Sequence, residues 1–252
     1  MGRIIAITNQ KGGVGKSTTA INLASGLAAN EKKVLLVDID PQGNATSGIG
    51  IEKESIERCV YNVLIEGEDP CNVIKESDFE GLFVLPATLQ LAGAEIELVG
   101  NFSRETILKR AFQSIKADFD YLIIDCPPSL GLLTVNALTS ADSLIIPLQC
   151  EYYALEGLTQ LMRTVDLVKS SLNPPLIIDG VLLTMHDPRT NLSQQIIEEV
   201  RNYFPGRVFE AIIPRNIKLS EAPSHGVPIY QYNAKSKGAL SYMKLTEEVL
   251  DL

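Results

Sequence analysis

Arg3-Ile4-Ile5-Ala6-Ile7, followed almost at once by Lys11-Gly12-Gly13-Val14-Gly15-Lys16-Ser17-Thr18, decides the fold of this chain. An apolar β-like run, a glycine-rich turn and a helical pattern starting Thr19-Ala20-Ile21-Asn22-Leu23-Ala24 have the layout of a phosphate-binding loop. Glycine lets the backbone curl until successive N–H groups face one anion, and the N-terminus of the helix adds its positive dipole end. Lys16 is then expected to reach the β- and γ-phosphates of a nucleotide, with the Ser17 hydroxyl on Mg²⁺.

Further strand-like runs lie at 33–38, 82–86, 121–125, 143–148, 177–184 and 208–213, and helical periodicity at 18–29, 89–99, 104–116, 155–171, 192–203 and 238–252. Most of the strand runs are continuously aliphatic, as strands covered on both faces must be. The alternation predicts one α/β domain over residues 1–252, a doubly wound and mainly parallel sheet with the P-loop NTPase fold and ligands at its C-terminal edge. With 252 residues and 45% hydrophobic content, the chain can bury a full core.

Two more segments fall where such a loop needs carboxylates. Leu35-Leu36-Val37-Asp38-Ile39-Asp40-Pro41-Gln42-Gly43-Asn44 ends the second strand, and carboxylates at i and i+2 of an extended segment point to one side. Tyr121-Leu122-Ile123-Ile124-Asp125-Cys126-Pro127-Pro128-Ser129 is a Walker B pattern, with Asp125 expected to hold the Mg²⁺ water shell opposite Ser17. No Asn-Lys-x-Asp guanine signature occurs, which favours ATP over GTP.

The ordinary phosphate-loop motif has glycine where this chain has Gln10, and a second lysine, Lys11, opens the loop instead. That pattern resembles the deviant Walker A motif of the ParA/MinD ATPases. The resemblance implies that Lys11 reaches across a dimer interface to the nucleotide of the partner subunit, with Gly12 kept small because the two loops face one another. It also implies that Asp40 positions the attacking water, and that Pro214 and Asn216, in Ile212-Ile213-Pro214-Arg215-Asn216, meet the base and ribose. Together with Gln149-Cys150-Glu151-Tyr152-Tyr153-Ala154-Leu155-Glu156-Gly157 and Pro223-Ser224-His225-Gly226, the chain is similar along its whole length to the Soj-type chromosomal ParA group. Such proteins close into an ATP-bound homodimer and then bind double-stranded DNA without sequence preference. A ParB-type centromere-binding protein stimulates hydrolysis, and a replication initiator is a further partner of some members.

Net charge is −9, which disfavours diffuse attraction to nucleic acid or anionic lipid, so DNA contact requires a local basic patch. Residues 185–244 carry eight Lys/Arg against five Asp/Glu, net +3, and the rest of the chain is net −12. By the resemblance, Arg189 and Lys218 contact DNA, with Arg215 as an addition. Paired subunits double such contacts on one surface and make binding depend on ATP.

The alternative is a MinD-like ATPase that loads onto membrane through a basic amphipathic C-terminal helix. The acidic ending Leu245-Thr246-Glu247-Glu248-Val249-Leu250-Asp251-Leu252 opposes it. An iron–sulfur carrier would need a C-x-x-C pair, and Cys59, Cys71, Cys126 and Cys150 form none. They are expected to be free thiols in a reducing cytosol. No apolar run is long enough for a bilayer, and the first strand starts too early for a signal peptide or an N-terminal helix-turn-helix module. A cytoplasmic, nucleoid-associated ATPase with no membrane partner is the expectation.

Overall fold

The computed structural model describes residues 2–151 and 154–252, with the side chains of residues 154–157, 191 and 192 outside that description. In chain order the elements are β1 (Arg3–Ile7), α1 (Lys16–Ala29), β2 (Val34–Asp38), α2 (Asn44–Gly48), β3 (Lys75–Glu76), β4 (Leu82–Leu85), α3 (Ala94–Glu97), α4 (Ile107–Ala111) and β5 (Tyr121–Asp125). Then follow α5 (Leu132–Ser140), β6 (Ser143–Gln149), α6 (Ala154–Ser171), β7 (Ile177–His186), α7 (Asn191–Tyr203), β8 (Val208–Pro214), α8 (Ile217–Glu221), α9 (Ile229–Asn233) and α10 (Lys237–Leu250).

The strands form one sheet in the order β3-β4-β2-β5-β1-β6-β7-β8. Every pairing is parallel except that of β3 with β4. Strand periodicity explains the two-sided core. Ile4, Ala6, Leu35 and Val37 pack on one face under α5, α6 and α7; Ile5, Ile7, Val34 and Leu36 pack on the other under α1 and α10. In register, β1 and β2 flank β5, so that Ile7 and Asp38 both sit beside Asp125. That single register brings the ends of the phosphate loop, the Asp38–Asp40 turn and the Walker B aspartate to one sheet edge.

All seven sequence-predicted strands are present, with ends differing by one or two residues. The helices predicted at 89–99 and 104–116 are instead broken. The first is a 3₁₀ turn at Leu89–Gly93, then α3, then another 3₁₀ turn at Leu98–Gly100. The second is a 3₁₀ turn at Arg104–Thr106, α4, and a 3₁₀ turn at Phe112–Ser114. Glycines close both halves of the first. In the second, Asn136 on α5 replaces part of the helical ladder: its amide donates to the Arg104 carbonyl (2.7 Å) and its carbonyl accepts from the Leu108 N–H (3.2 Å). The sequence reading missed α5 because Leu132–Ser140 has no charged residue to mark a solvent face. It missed β3 because two residues carry no period.

Helix α1 is buried almost all round, and α10 crosses it closely at Gly26. A Cβ there would meet the Thr246 hydroxyl and, at 2.8 Å, the Tyr230 hydroxyl. Gly26→Leu is therefore expected to cost about 1–3 kcal/mol by overpacking, read as a lower midpoint in urea denaturation with an unchanged slope.

Candidate functional site

The phosphate loop is held by its neighbours before any ligand arrives. Gly13 (φ 74°) and Gly15 (φ 89°) adopt the left-handed conformation that β-carbons disfavour. The Asn9 side-chain carbonyl accepts from the Lys11 N–H at 3.0 Å, and its amide donates to the Pro147 carbonyl at 2.8 Å. The Thr184 hydroxyl, near the end of β7, donates to the Val14 carbonyl at 2.9 Å. Sequence reading passed over both Asn9 and Thr184, since a lone polar residue at a strand end carries no local signal.

Lys16 is 6% exposed, and its ammonium donates to the Lys11 carbonyl at 3.1 Å. Burial lowers its proton affinity, with Asp125 and then Asp40 acting against that shift. Lys16, Ser17, Thr18, Asp40 and Pro128 line a cavity of about 510 Å³, together with Gly12, Gly13 and Gly15. The predicted phosphate-binding residues are thus brought together, apart from Val14, whose side chain is buried, and Lys11, whose ammonium instead stands 3.6 Å from Glu151.

Asp38 and Asp40 do not share a role. Asp38 is fully buried: one oxygen accepts from the Asp40 N–H (3.1 Å), the other from the Thr46 N–H (2.8 Å) and hydroxyl (2.7 Å). Thr46, which the sequence reading also missed, accepts in turn from the Ala87 N–H at 2.9 Å. Asp38 is therefore the internal brace of the turn, while Asp40 faces the cavity and accepts from the Gln42 N–H at 2.9 Å.

Asp125 is the opposite case. It is wholly buried, and neither oxygen has a hydrogen-bond partner in good geometry, although the Ser17 hydroxyl is near enough to lower its proton affinity. Burial, then the adjacent Asp38, hold the Asp125 carboxyl well above the ordinary range. Burial also raises Asp38, to about 6, against the pull of its Thr46 hydrogen bonds. Two neighbouring buried carboxylates, one without partners, fit a divalent cation. Among the described residues no cluster of three or more His, Cys, Asp or Glu could cage a metal. That donor set suits Mg²⁺, which takes few protein ligands and keeps water and phosphate oxygens.

A second cavity of about 450 Å³ adjoins the first and shares Gly15, Thr18, Met185 and Pro223 with it. Pro214, Arg215, Asn216, Ile217 and Tyr242 line it. The Asn216 carbonyl caps α8 by accepting from the Lys218 N–H (2.9 Å), so its amide N–H₂ is the end left to meet a ligand. The two cavities meet at the four residues they share, which joins the phosphate loop to Pro214 and Asn216.

Of the three cations predicted to touch DNA, Arg189 and Arg215 lie on the loops after β7 and β8 and Lys218 lies in α8, and each is paired. Arg189 makes a two-pronged bond with Asp187 (2.9 and 2.7 Å) while remaining 86% exposed. That bond, aided by the charge of Arg215, holds Asp187 far below the usual carboxylate range. Lys218 pairs with Glu221 at 2.8 Å and lies 5.4 Å above the Tyr232 ring. Arg215 stands 3.7 Å from Glu151, which also takes Lys11 at 3.6 Å. Each of these three cations therefore already has a carboxylate partner, whereas the sequence reading required a local basic patch for DNA contact. All four cysteines are free thiols, as expected. The Tyr152 and Tyr153 part of the predicted family segment lies outside the described residues.

The family model described as an AAA domain matches residues 2–178. The sporulation initiation inhibitor protein Soj of Bacillus subtilis is 63% identical over 249 residues, covering 99% of this chain and 98% of its own. The chromosome partitioning protein ParA of Myxococcus xanthus is 56% identical, over 99% of this chain and 88% of its own. Among solved structures, the cobyrinic acid a,c-diamide synthase of Mycobacterium smegmatis with bound ADP and magnesium superposes with a TM-score of 0.88 at 38% identity, covering 99% and 94% of the two chains.

The buried carboxyls generate a pH prediction. A carboxyl raised in the folded state contributes stability that is complete below the unfolded value near 4 and is lost as pH rises through the folded one. Asp125→Asn removes that loss, so the ligand-free variant should melt above the parent by a margin that widens from pH 5 to pH 8. Each kcal/mol would read as about 2–4 °C in differential scanning calorimetry. The same variant should show no Mg²⁺-dependent rise in Tm with ATP present.

Proposed function

Because the chain belongs to the ParA/MinD family of P-loop ATPases, with Soj and ParA partitioning proteins among its relatives, we propose that it is a DNA-partitioning ATPase acting as one domain over residues 1–252. The observation that carries this reading is the unpartnered Asp125 carboxylate opposite Ser17, beneath a loop that supplies Lys16 and Lys11. ATP binds with its phosphates against the Gly12–Thr18 backbone and its base and ribose at Pro214 and Asn216. Mg²⁺, held by Ser17 and Asp125, supplies charge neutralisation to the phosphate oxygens.

Lys16 holds the β- and γ-phosphates, and its desolvated ammonium makes that contact strong. Asp40 orients the attacking water in line with the γ-phosphate. Lys11 of the partner subunit adds a second cation at the same oxygens, which couples nucleotide state to dimer formation. A Cβ at Gly12 would meet nothing within 4 Å inside this chain, so only a second loop facing it would demand glycine there.

The ATP-bound homodimer binds double-stranded DNA without sequence preference through Arg189, Lys218 and Arg215. DNA phosphates then take the place of Asp187, Glu221 and Glu151. A ParB-type centromere-binding protein stimulates hydrolysis and resets the dimer, in the cytoplasm at the nucleoid, and a replication initiator is a further partner. Membrane loading has less support. No helix among the described residues is long and apolar enough to cross a membrane, and α10 is packed down rather than free. Its Tyr242, Leu245 and Val249 are buried, and Glu248 accepts from the Glu210 and Ala211 N–H groups of β8 (2.8 and 2.7 Å).

Asp40→Ala is expected to bind ATP, dimerise and hold two unrelated duplexes equally well in gel-shift titrations with ATP, but neither with ADP. Binding under no condition would remove the DNA role. Gly12→Val should melt like the parent and bind ATP, yet remain monomeric by light scattering with ATP. Arg189→Glu with Lys218→Glu should lose DNA binding in 50 mM salt while keeping the ATP-dependent dimer; DNA binding that survived would move the interface elsewhere.

A further inference from the structure

Strand β7 loses its alternation where it reaches the two cavities. Val181 and Leu183 pack on the face covered by α5, α6 and α7, and Leu182 on the face covered by α1 and α10. Thr184 continues that pattern on the α1 side. Its hydroxyl reaches the Val14 carbonyl, and its methyl group lies 3.9 Å from where a Cβ of Gly15 would stand. A regular strand would then turn Met185 away from the phosphate loop, because successive side chains point to opposite faces. Met185 instead lines both cavities, beside Gly15 and Thr18.

Two features of the backbone produce the reversal. Between Leu183 and His186, β7 takes three steps while β8 takes two, from Ile212 to Pro214, so one residue bulges from the ladder. Bulges redirect side chains and recur beside active sites. Met185 itself is left-handed, with φ 52°, a conformation that glycine accepts freely and a β-carbon disfavours. Its neighbours fix it there. The Thr184 carbonyl accepts from the Cys150 N–H (3.1 Å), and the His186 carbonyl accepts from the Arg215 N–H (3.0 Å). The Gln149 amide, at the end of β6, donates to the Met185 sulfur at 3.3 Å and to Glu151 at 2.6 Å, which sets the direction of the thioether. Strain of this kind persists only where surrounding bonds over-determine it, and it gathers at ligand sites.

We propose that Met185 is a specificity-determining residue of the ATP site: the bulge and the strained backbone present its thioether at the junction of the two cavities, where it packs on the nucleoside and makes the site prefer a nucleoside triphosphate to a bare triphosphate. The proposal rests on the ATPase reading. The two cavities offer different chemistry. Lys16, Ser17 and Asp40 line the first, while Pro214, Ile217 and Leu219 line the second. Met185 and Pro223 are the apolar side chains common to both. An unbranched, polarisable thioether follows the contour of a sugar or a purine edge without needing a hydrogen bond. That contact is the same in bound ATP and in the transition state at the γ-phosphate, so its loss appears in KM rather than in kcat.

Glycine at this position separates strain from contact. A side chain that only supports the fold loses stability and binding together when it is removed. Here removal relieves the left-handed strain while it deletes the contact, so the two effects have opposite signs. Leucine keeps both, being close to methionine in volume.

The test compares the full-length parent with Met185→Gly and Met185→Leu. Ligand-free Tm, calorimetric affinity for Mg²⁺-ATP and for Mg²⁺-tripolyphosphate, and steady-state ATP turnover are measured for each. Met185→Gly should melt no lower than the parent and bind tripolyphosphate equally well. It should bind ATP about tenfold more weakly, the loss of part of one apolar side chain's contact, with KM raised to match and kcat within about twofold. Met185→Leu should hold ATP within about threefold of the parent. Unchanged ATP affinity in Met185→Gly overturns the proposal. A tripolyphosphate affinity that falls in step with that for ATP overturns it as well, since the residue would then only support the loop. A lower Tm in Met185→Gly overturns the strained presentation, and a loss in Met185→Leu equal to that in Met185→Gly overturns the apolar contact. A parent that binds neither ligand overturns the ATPase reading and this role with it, whereas a parent that binds ATP no better than Met185→Gly leaves that reading standing and removes Met185 alone.

Discussion

Two carboxylates buried side by side at the ends of adjacent parallel strands are the constraint on which the site depends. Asp38 is affordable in that position because the turn after β2 wraps around it, giving it the Asp40 and Thr46 N–H groups and the Thr46 hydroxyl. Asp125 has no such wrapping. A buried polar group without a partner costs on the order of 1–3 kcal/mol, more when it is charged. A bound cation would offset that cost, and among the described residues Lys16, itself almost wholly buried, is the lysine whose charge acts on Asp125. Loop, turn and Walker B strand are thus parts of one electrostatic arrangement that remains incomplete until a nucleotide and its metal arrive.

Much of this arrangement was legible from residues alone. Continuous aliphatic runs identify strands because both faces of a parallel sheet are covered, and the glycine-rich loop is short enough for every atom of its logic to lie in neighbouring residues. The failures have a common cause. Thr46, Asn9 and Thr184 each act through a partner 8 to 170 positions away, Asn9 through the Lys11 N–H as well, and nothing in their immediate neighbours distinguishes them from ordinary strand-end residues. Helix α5 has no polar face, so periodicity cannot separate it from the strand that follows. The stretches at 89–99 and 104–116 have helical spacing, yet glycines and the Asn136 side chain divert their backbone bonds. Counting charges located a basic segment at 185–244 but could not reveal that Arg189, Arg215 and Lys218 each stand beside a carboxylate.

That pairing changes how affinity for a polyanion would arise. A phosphate approaching Arg189 competes with a two-pronged carboxylate already in place, so the gain per contact is a difference between two ion pairs rather than the formation of one. Affinity from one subunit would be correspondingly small, and in the proposed dimer the doubling of contacts would be decisive. Internal pairing would therefore sharpen the dependence on nucleotide state that the proposed dimer implies.

The two outer strands of the sheet bear on a different property. At one margin, β3 is only two residues long and both are charged, Lys75 and Glu76. At the other, the Glu248 carboxylate takes two consecutive N–H groups of β8. Short charged strands and blocked N–H groups are the devices that stop sheets from adding strands of other molecules. Crowding many copies along one polymer then raises their local concentration without offering a template for amyloid-like growth, so density on a surface and solubility in bulk need not be traded against each other.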